Sequence, residues 1–257
     1  MEQSIAPRPA PNLSSVIEPS FVTGTIPTAP VSTGPAVRGV TDREIRFGIS
    51  AAFTGAAKEL GRQMKLGIDT AFSRVNEAGG VEGRMLKLIA ADDGNEPPRT
   101  AEAMKQLYDR DQVFGIIGNV GTPTAAVAVP YALERRMLFF VAFTGANVVR
   151  HDPPDRYVFN FRPSYAEETD AAVRYLVKMR RIPPRQIAVS GVAKAFRALG
   201  LSDSLILRLN YARNTVDVDN AINQLKAQRV PIKAVVMAAV YRAARASSRR
   251  PTISIPT

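Results

Sequence analysis

The chain has 257 residues, 46% hydrophobic and 22% charged, an ordinary globular composition with enough apolar material for one or two cores. It holds no cysteine, no tryptophan and a single histidine, His151, which excludes thiol nucleophiles, disulfides and Cys/His zinc sites. The formal charge of +11 is uneven: residues 1–173 carry 18 Lys/Arg against 20 Asp/Glu and residues 174–257 carry 16 against 3. No helix-turn-helix, RNP or zinc-finger pattern accompanies that basic third, so it reads as solvated surface and no nucleic-acid partner is expected.

Residues 1–39 contain 7 of the 19 prolines and show no helical or strand period, so a disordered Pro/Ser/Thr-rich tail is expected there. The opening Met1-Glu2-Gln3-Ser4-Ile5-Ala6-Pro7 has neither a basic nor an apolar region of the kind a cleavable signal peptide uses. From residue 44 the pattern changes. Residues 45–50 read as a strand, and Leu60, Met64, Ile68, Phe72 and Val75 then recur at helical spacing until Gly79 and Gly80 stop the helix.

The alternation continues with a strand at 85–91, a helix at 98–109, a strand at 113–118, a helix at 123–135 and a strand at 137–141. Strands alternating with helices of this length imply parallel pairing with right-handed crossovers and helices on both faces. The uncharged run 113–133 is long enough for a membrane span. Asn119, Gly121, Thr122, Pro123 and Pro130 break it, so it reads as strand, turn and helix, and no transmembrane segment is expected.

After a short crossing strand at 157–161 and a helix at 165–179, strands at 186–189, 204–209 and 234–237 with helices at 192–199 and 218–228 read as a second lobe. Residues 243–257 are rich in Arg, Ser and Pro and read as a basic tail.

Ligands of open parallel sheets bind beyond the strands' carboxyl ends. In the segment Thr122-Pro123-Thr124-Ala125-Ala126, Thr122 is expected as the N-cap and Pro123 at the first helical position, leaving backbone N–H groups near Thr124 to attract a carboxylate or phosphate. Enzymatic chemistry finds no such support. There is no Walker motif and no GxSxG elbow, and the glycines at 115, 118 and 121 are wrongly spaced for a dinucleotide fingerprint. His151 lies in a polar loop, and Asp92, Asp93, Asn95 and Glu96 lack calcium-loop spacing. No catalytic residue, metal or cofactor is expected.

Three stretches carry a family resemblance: a Thr-Gly loop after the first strand, VNEAGGVEGRMLKL into the second, and DDGNEPPRTAEAM into the second helix. With the later IIGNVGTPT and FFVAFTGAN, they make the chain resemble the substrate-binding proteins of branched-chain amino acid ABC transporters, over residues 39–241. The resemblance implies an α/β type I periplasmic-binding-protein-like fold. Its first lobe, residues 40–155, would hold a parallel sheet with helices on both faces, and residues 156–242 would form a partial second α/β lobe.

The implied function is a non-enzymatic solute-binding component of an importer, closing two lobes on an amino acid or related small carboxylate and delivering it to an ABC permease complex in the periplasm. A ligand-sensing domain of a regulator with the same fold is the alternative. Carried over by position, Thr122 and Thr124 match the loop that receives the carboxylate, and Thr144, Gly145 and Ala146 match the next loop. Phe53 and Leu60 supply apolar contacts, Leu60 standing where the family often has an aromatic, and Tyr241 faces the cleft from the second lobe. The resemblance also implies elements beyond this chain's last residue, so uncovered apolar faces are expected where those would pack.

Overall fold

The computed structural model describes residues 37–190, 207–209, 215, 217–237 and 245. Strands β1 (Glu44–Ala51), β2 (Met85–Asp92), β3 (Gly115–Ile117), β4 (Leu138–Phe140) and β5 (Val158–Phe159) form one sheet in the order β2-β1-β3-β4-β5, every neighbour parallel. Glu44 pairs with Met85 at one end of the β1–β2 ladder and Ala51 with Asp92 at the other. The switch in chain direction around β1 puts the β1 and β3 carboxyl ends side by side, where such sheets leave a crevice.

The sheet's two faces are covered by different helices. Helices α2 (Pro97–Lys105) and α3 (Thr122–Glu134) pack on one face, where Met104, Leu107, Val113, Ile116, Ala128, Val129 and Phe139 are buried together. Helix α1 (Lys58–Glu77) covers the other, its Leu60, Met64, Ile68 and Phe72 meeting Ile49, Ala51, Leu88, Ile117 and Val120. Alternation along β3 shows the division directly, Ile116 pointing to the α2/α3 core and Ile117 to the α1 core.

That covering stops short of the β4–β5 edge. Phe139 faces α2 and α3, so its neighbour Phe140 faces the α1 side, which α1 does not reach there. Phe140 pairs in register with Phe159, the rings 6.5 Å apart, and the two are 41% and 50% exposed.

Helix α4 (Tyr165–Arg174) starts with a complete capping box: the Ser164 hydroxyl accepts from the Glu167 amide, and the Glu167 carboxylate accepts from the Ser164 amide. It packs through Val173 on Ile187, Ala234 and Val236 of a second parallel sheet, β6 (Ile187–Ser190), β7 (Leu207–Arg208) and β8 (Ala234–Met237), in the order β7-β6-β8. Helix α5 (Asp219–Lys226) precedes β8 and buries Ile222.

The α/β alternation read from the sequence is thus observed, with element ends shifted by a few residues. Two differences are larger. The segment expected as a crossing strand at 157–161 is a two-residue edge strand paired with β4. The helices expected to run to 109 and 179 end in π-helical turns, Gln106–Arg110 and Tyr175–Met179. The tail at 1–36, the helix at 192–199, most of the strand at 204–209 and nearly all of the tail at 243–257 lie outside the described residues.

Candidate functional site

Four loops meet at the carboxyl ends of β1 to β4, and two adjacent aspartates at the end of β2 organise the first pair. Asp92 Oδ1 accepts from the amides of Phe53 (2.8 Å), Thr54 (3.2 Å) and Gly94 (3.0 Å), while Oδ2 accepts from the Thr54 hydroxyl (2.6 Å) and Arg99 (2.8 Å). Partial burial opposes ionisation of this carboxyl, but the Thr54 hydroxyl, the two amides of Phe53 and Gly94 and the Arg99 guanidinium outweigh it and hold Asp92 well below the usual carboxylate range. Asp93 goes the other way. It is fully buried, and burial raises its pKa against the pull of Ser50, Asn95 and Thr100.

Among the described residues no group of three or more His, Cys, Asp or Glu could hold a metal ion, and no helix is long and apolar enough to cross a membrane.

The Asp92 clamp has a pH signature. Its carboxyl is depressed in the folded state, so its stabilisation is fully present above the unfolded value near 3.8 and is lost as pH falls toward the lower folded value. Asp92→Asn is expected to cost about 1–2 kcal/mol at pH 7, since bonds to an ionised group exceed those to a neutral one. Urea denaturation from pH 7 down to pH 2 should show the gap from the unsubstituted chain closing below about pH 5. A gap constant across that range would remove the carboxylate's charge from the account.

The second pair of loops builds the opening of α3. Asn119 is fully buried; its side-chain Nδ2 donates to the Ser50 carbonyl at 2.9 Å and its backbone carbonyl accepts from the Phe143 amide at 2.6 Å, tying the ends of β1, β3 and β4 together. Gly121 follows at φ 112° and ψ 148° and is the N-cap of α3. Thr122 is therefore the first helical residue, and the expectation that it caps the helix is corrected. The bond back to the loop comes from Thr124 instead, whose buried hydroxyl donates to Val120 O (2.7 Å) and Gly121 O (2.9 Å). With its hydroxyl so engaged, Thr124 can offer a ligand its backbone amide only.

Thr122 points sideways. Its hydroxyl lies 2.7 Å from that of the fully buried Thr144 and 3.4 Å from Tyr165 Oη. The first-turn amides of Thr122 and Thr124 have no intrahelical acceptor, Pro123 has no N–H, and the positive end of the helix dipole lies behind them. This combination is suited to an anionic group.

Gly145 and Ala146 have other duties. The Gly145 carbonyl accepts from the Tyr165 amide at 2.8 Å, and a Cβ on Gly145 would lie 2.7 Å from the Tyr165 ring, so this glycine makes room for the aromatic. The Ala146 amide donates to Thr144 Oγ1 at 3.1 Å, which takes that donor out of the set expected to meet a ligand. Arg150 fastens the loop from behind, donating to the carbonyls of Thr144 (3.2 Å), Ala146 (3.0 Å), Pro163 (3.3 Å) and, closer still, Arg162.

Phe53 and Leu60 are half-buried and pack with Val120, two residues before Thr122, in the α1-side core. Thr122, Thr144, Gly145 and Ala146 come together; Tyr241 lies outside the described residues. Sequence reading missed Tyr165, Arg150 and the Asp92 clamp. Only the Ser-x-x-Glu spacing of Ser164 and Glu167 marks a helix start beside Tyr165, and nothing local places it against a loop 20 residues earlier.

The profile of the family described as periplasmic binding protein matches residues 44–247. Leu/Ile/Val-binding protein homolog 3 of Brucella melitensis is 38% identical over 87 residues, 34% of this chain and 23% of that protein. The Leu/Ile/Val-binding protein BraC3 of Rhizobium johnstonii is 26% identical over 200 residues, 76% of this chain and 52% of that one. Among solved structures, a possible leucine/isoleucine/valine-binding protein from Rhodopirellula baltica superposes with a TM-score of 0.73 at 36% identity, over 85% of this chain and 60% of that one. The chain thus spans 60% or less of each of these proteins.

Proposed function

The chain belongs to the periplasmic binding protein family, and on that premise we propose that it is a solute-binding component of an ABC importer, capturing a branched-chain amino acid in the periplasm for a permease complex. The observation that carries this reading is the opening of α3, where Thr122, Thr144 and unpaired first-turn amides gather hydrogen-bond donors at the carboxyl edge of a parallel sheet. The ligand's carboxylate sits at that helix end. Its aliphatic side chain is met by Phe53 and Leu60, where each buried methylene contributes about 0.8 kcal/mol.

The names of the Brucella, Rhizobium and Rhodopirellula proteins support leucine, isoleucine and valine as the ligands to try first. No acid, base or nucleophile is required for capture and release, and the carboxylates nearest these loops, Asp92 and Asp93, are occupied with holding loops together.

Isothermal titration of the full chain with L-leucine, L-isoleucine and L-valine tests the reading, with L-leucinamide as the probe that lacks a carboxylate. Saturable heat for at least one amino acid and much weaker binding of the amide are expected. Absence of heat from all three amino acids would overturn it, and equal affinity for leucine and leucinamide would move the carboxylate away from α3.

A further inference from the structure

The two stretches of chain that lead into β6 and β8 carry charge of one sign only. Residues 175–186 and 227–233 hold six basic residues, Lys178, Arg180, Arg181, Arg185, Arg229 and Lys233, and no Asp or Glu. All six are exposed. The fold brings them to one edge. Strands β6 and β8 run parallel with Ile187 opposite Ala234, so both begin at the same end of the sheet, and the Lys233 amide donates to the Gln186 carbonyl at 2.8 Å where the two stretches enter it. Residues 175–179 are the π-helical turn that closes α4, and residue 227 follows directly on α5.

Elsewhere basic residues stand beside carboxylates: Arg62 with Glu59, Lys65 with Asp69, Arg99 with Asp92 and Arg174 with Asp170. None of the six at this edge has an ion-pair or side-chain hydrogen-bond partner among the described residues. The helix ends account for part of the pattern, since a cation near a helix carboxyl end meets the negative end of the dipole. That effect fades within the last turn and does not reach Arg185 or Lys233. Like charges gathered without partners repel one another, and an anionic surface laid against them removes that cost.

Apolar side chains are set among these cations. Met179 is 72% exposed, and Tyr175 and Val230 are exposed with it. Cations on long aliphatic stems, interleaved with exposed apolar groups, match the interface of an anionic bilayer, where the charged heads meet phosphates and the apolar tips enter the acyl boundary. Pairing with the carboxylates of an acidic protein favours guanidinium groups already fixed in place, and these are held by no hydrogen bond. We infer that this edge of the second sheet is a contact surface for anionic phospholipid headgroups. The inference is independent of the ligand reading. Ligands of parallel sheets bind at the opposite edge, which for β6 and β8 lies at Ser190 and Met237 and stays open when this one rests on a membrane.

Co-sedimentation of the full chain with phosphatidylcholine vesicles, with and without about 30% phosphatidylglycerol, tests this. Binding is expected to the anionic vesicles only, and it should weaken about tenfold or more as NaCl rises from about 50 to about 500 mM. Each Lys or Arg at such a surface contributes about fivefold in affinity, so Arg180→Gln combined with Arg185→Gln should bind about 25-fold more weakly. Arg62→Gln combined with Lys65→Gln lowers the net charge equally and should bind within about twofold of the unsubstituted chain. Met179→Gln should weaken binding severalfold at unchanged charge. All five positions are on the surface, so urea midpoints should not move. Absence of binding to anionic vesicles would overturn the inference, as would equal weakening in both double variants, which would leave net charge as the cause. Undiminished binding of the Arg180 and Arg185 variant would overturn it by placing the contact elsewhere, as on the arginines between 242 and 250. Full binding by Met179→Gln would remove the contact with the acyl boundary and overturn it too. Binding to polyglutamate without binding to vesicles would assign the edge to an acidic protein instead.

Discussion

Phe139→Ala is expected to destabilise the chain by about 3–5 kcal/mol, the range for removing an aromatic ring from a packed interior. Phe139 is 1% exposed on an inner strand and is enclosed with Met104, Leu107, Val113, Ile116 and the alanines of α3. Those alanines are short and rigidly placed on a helix, so they cannot swing in to fill the void, and the cost should fall toward the upper part of the range. Phe159→Ala is the natural comparison. Its ring lies on the uncovered face and is half exposed, and its removal should cost less than about 1 kcal/mol. Urea denaturation of both variants measures the difference. Similar losses would mean that the β4–β5 face is covered after all.

What the sequence disclosed depended on whether the cause was local. Strands β1 to β4 and helices α1 to α3 were legible because each carries its own period or apolar run, and Gly79-Gly80 and Pro97-Pro98 punctuate them. The short β5 was legible only as extended chain, since its pairing with β4 is a choice made by the sheet. Thr122 was misread because threonine is a favoured N-cap, and the local rule could not see Thr144 22 residues away competing for its hydroxyl. The adjacent aspartates Asp92 and Asp93 look alike in the sequence. Their opposite protonation tendencies come from unequal burial, which raises Asp93 against its bond from Ser50, 43 residues earlier, and from the donors gathered on Asp92, among them Thr54, 38 residues earlier.

The same distinction explains the site. The helix start proposed to receive an anion was legible, because Pro123 near a helix start and an apolar run before it are sequence facts. The hydroxyls around it were legible only in part. Thr144 and Gly145 entered through family resemblance, and Tyr165 needed the contact across Gly145 before its ring could be placed.

Gly121→Ala should be the most damaging small substitution at the site, costing about 3 kcal/mol in stability, the upper part of what a strained backbone conformation costs alone. Gly121 holds φ 112° and ψ 148°, a combination open to glycine and closed to residues with a Cβ. A methyl group there would also come within 2.4 Å of Asn95 Oδ1 and 2.8 Å of Thr124 Oγ1. Relief requires the backbone to rotate, and the groups that move are the first turn of α3. Thr124 would lose its bond to the Gly121 carbonyl, and the Thr122 hydroxyl would leave its 2.7 Å partner. Leucine affinity should therefore fall by about tenfold or more in the fraction that remains folded, because the donors are fixed by this one turn. Gly67→Ala, in α1 with open space around it, is the control and should raise stability by about 0.5–1 kcal/mol. Paired denaturation and titration decide the matter: a Gly121→Ala protein that is destabilised yet binds leucine normally would show that the α3 opening does not hold the ligand.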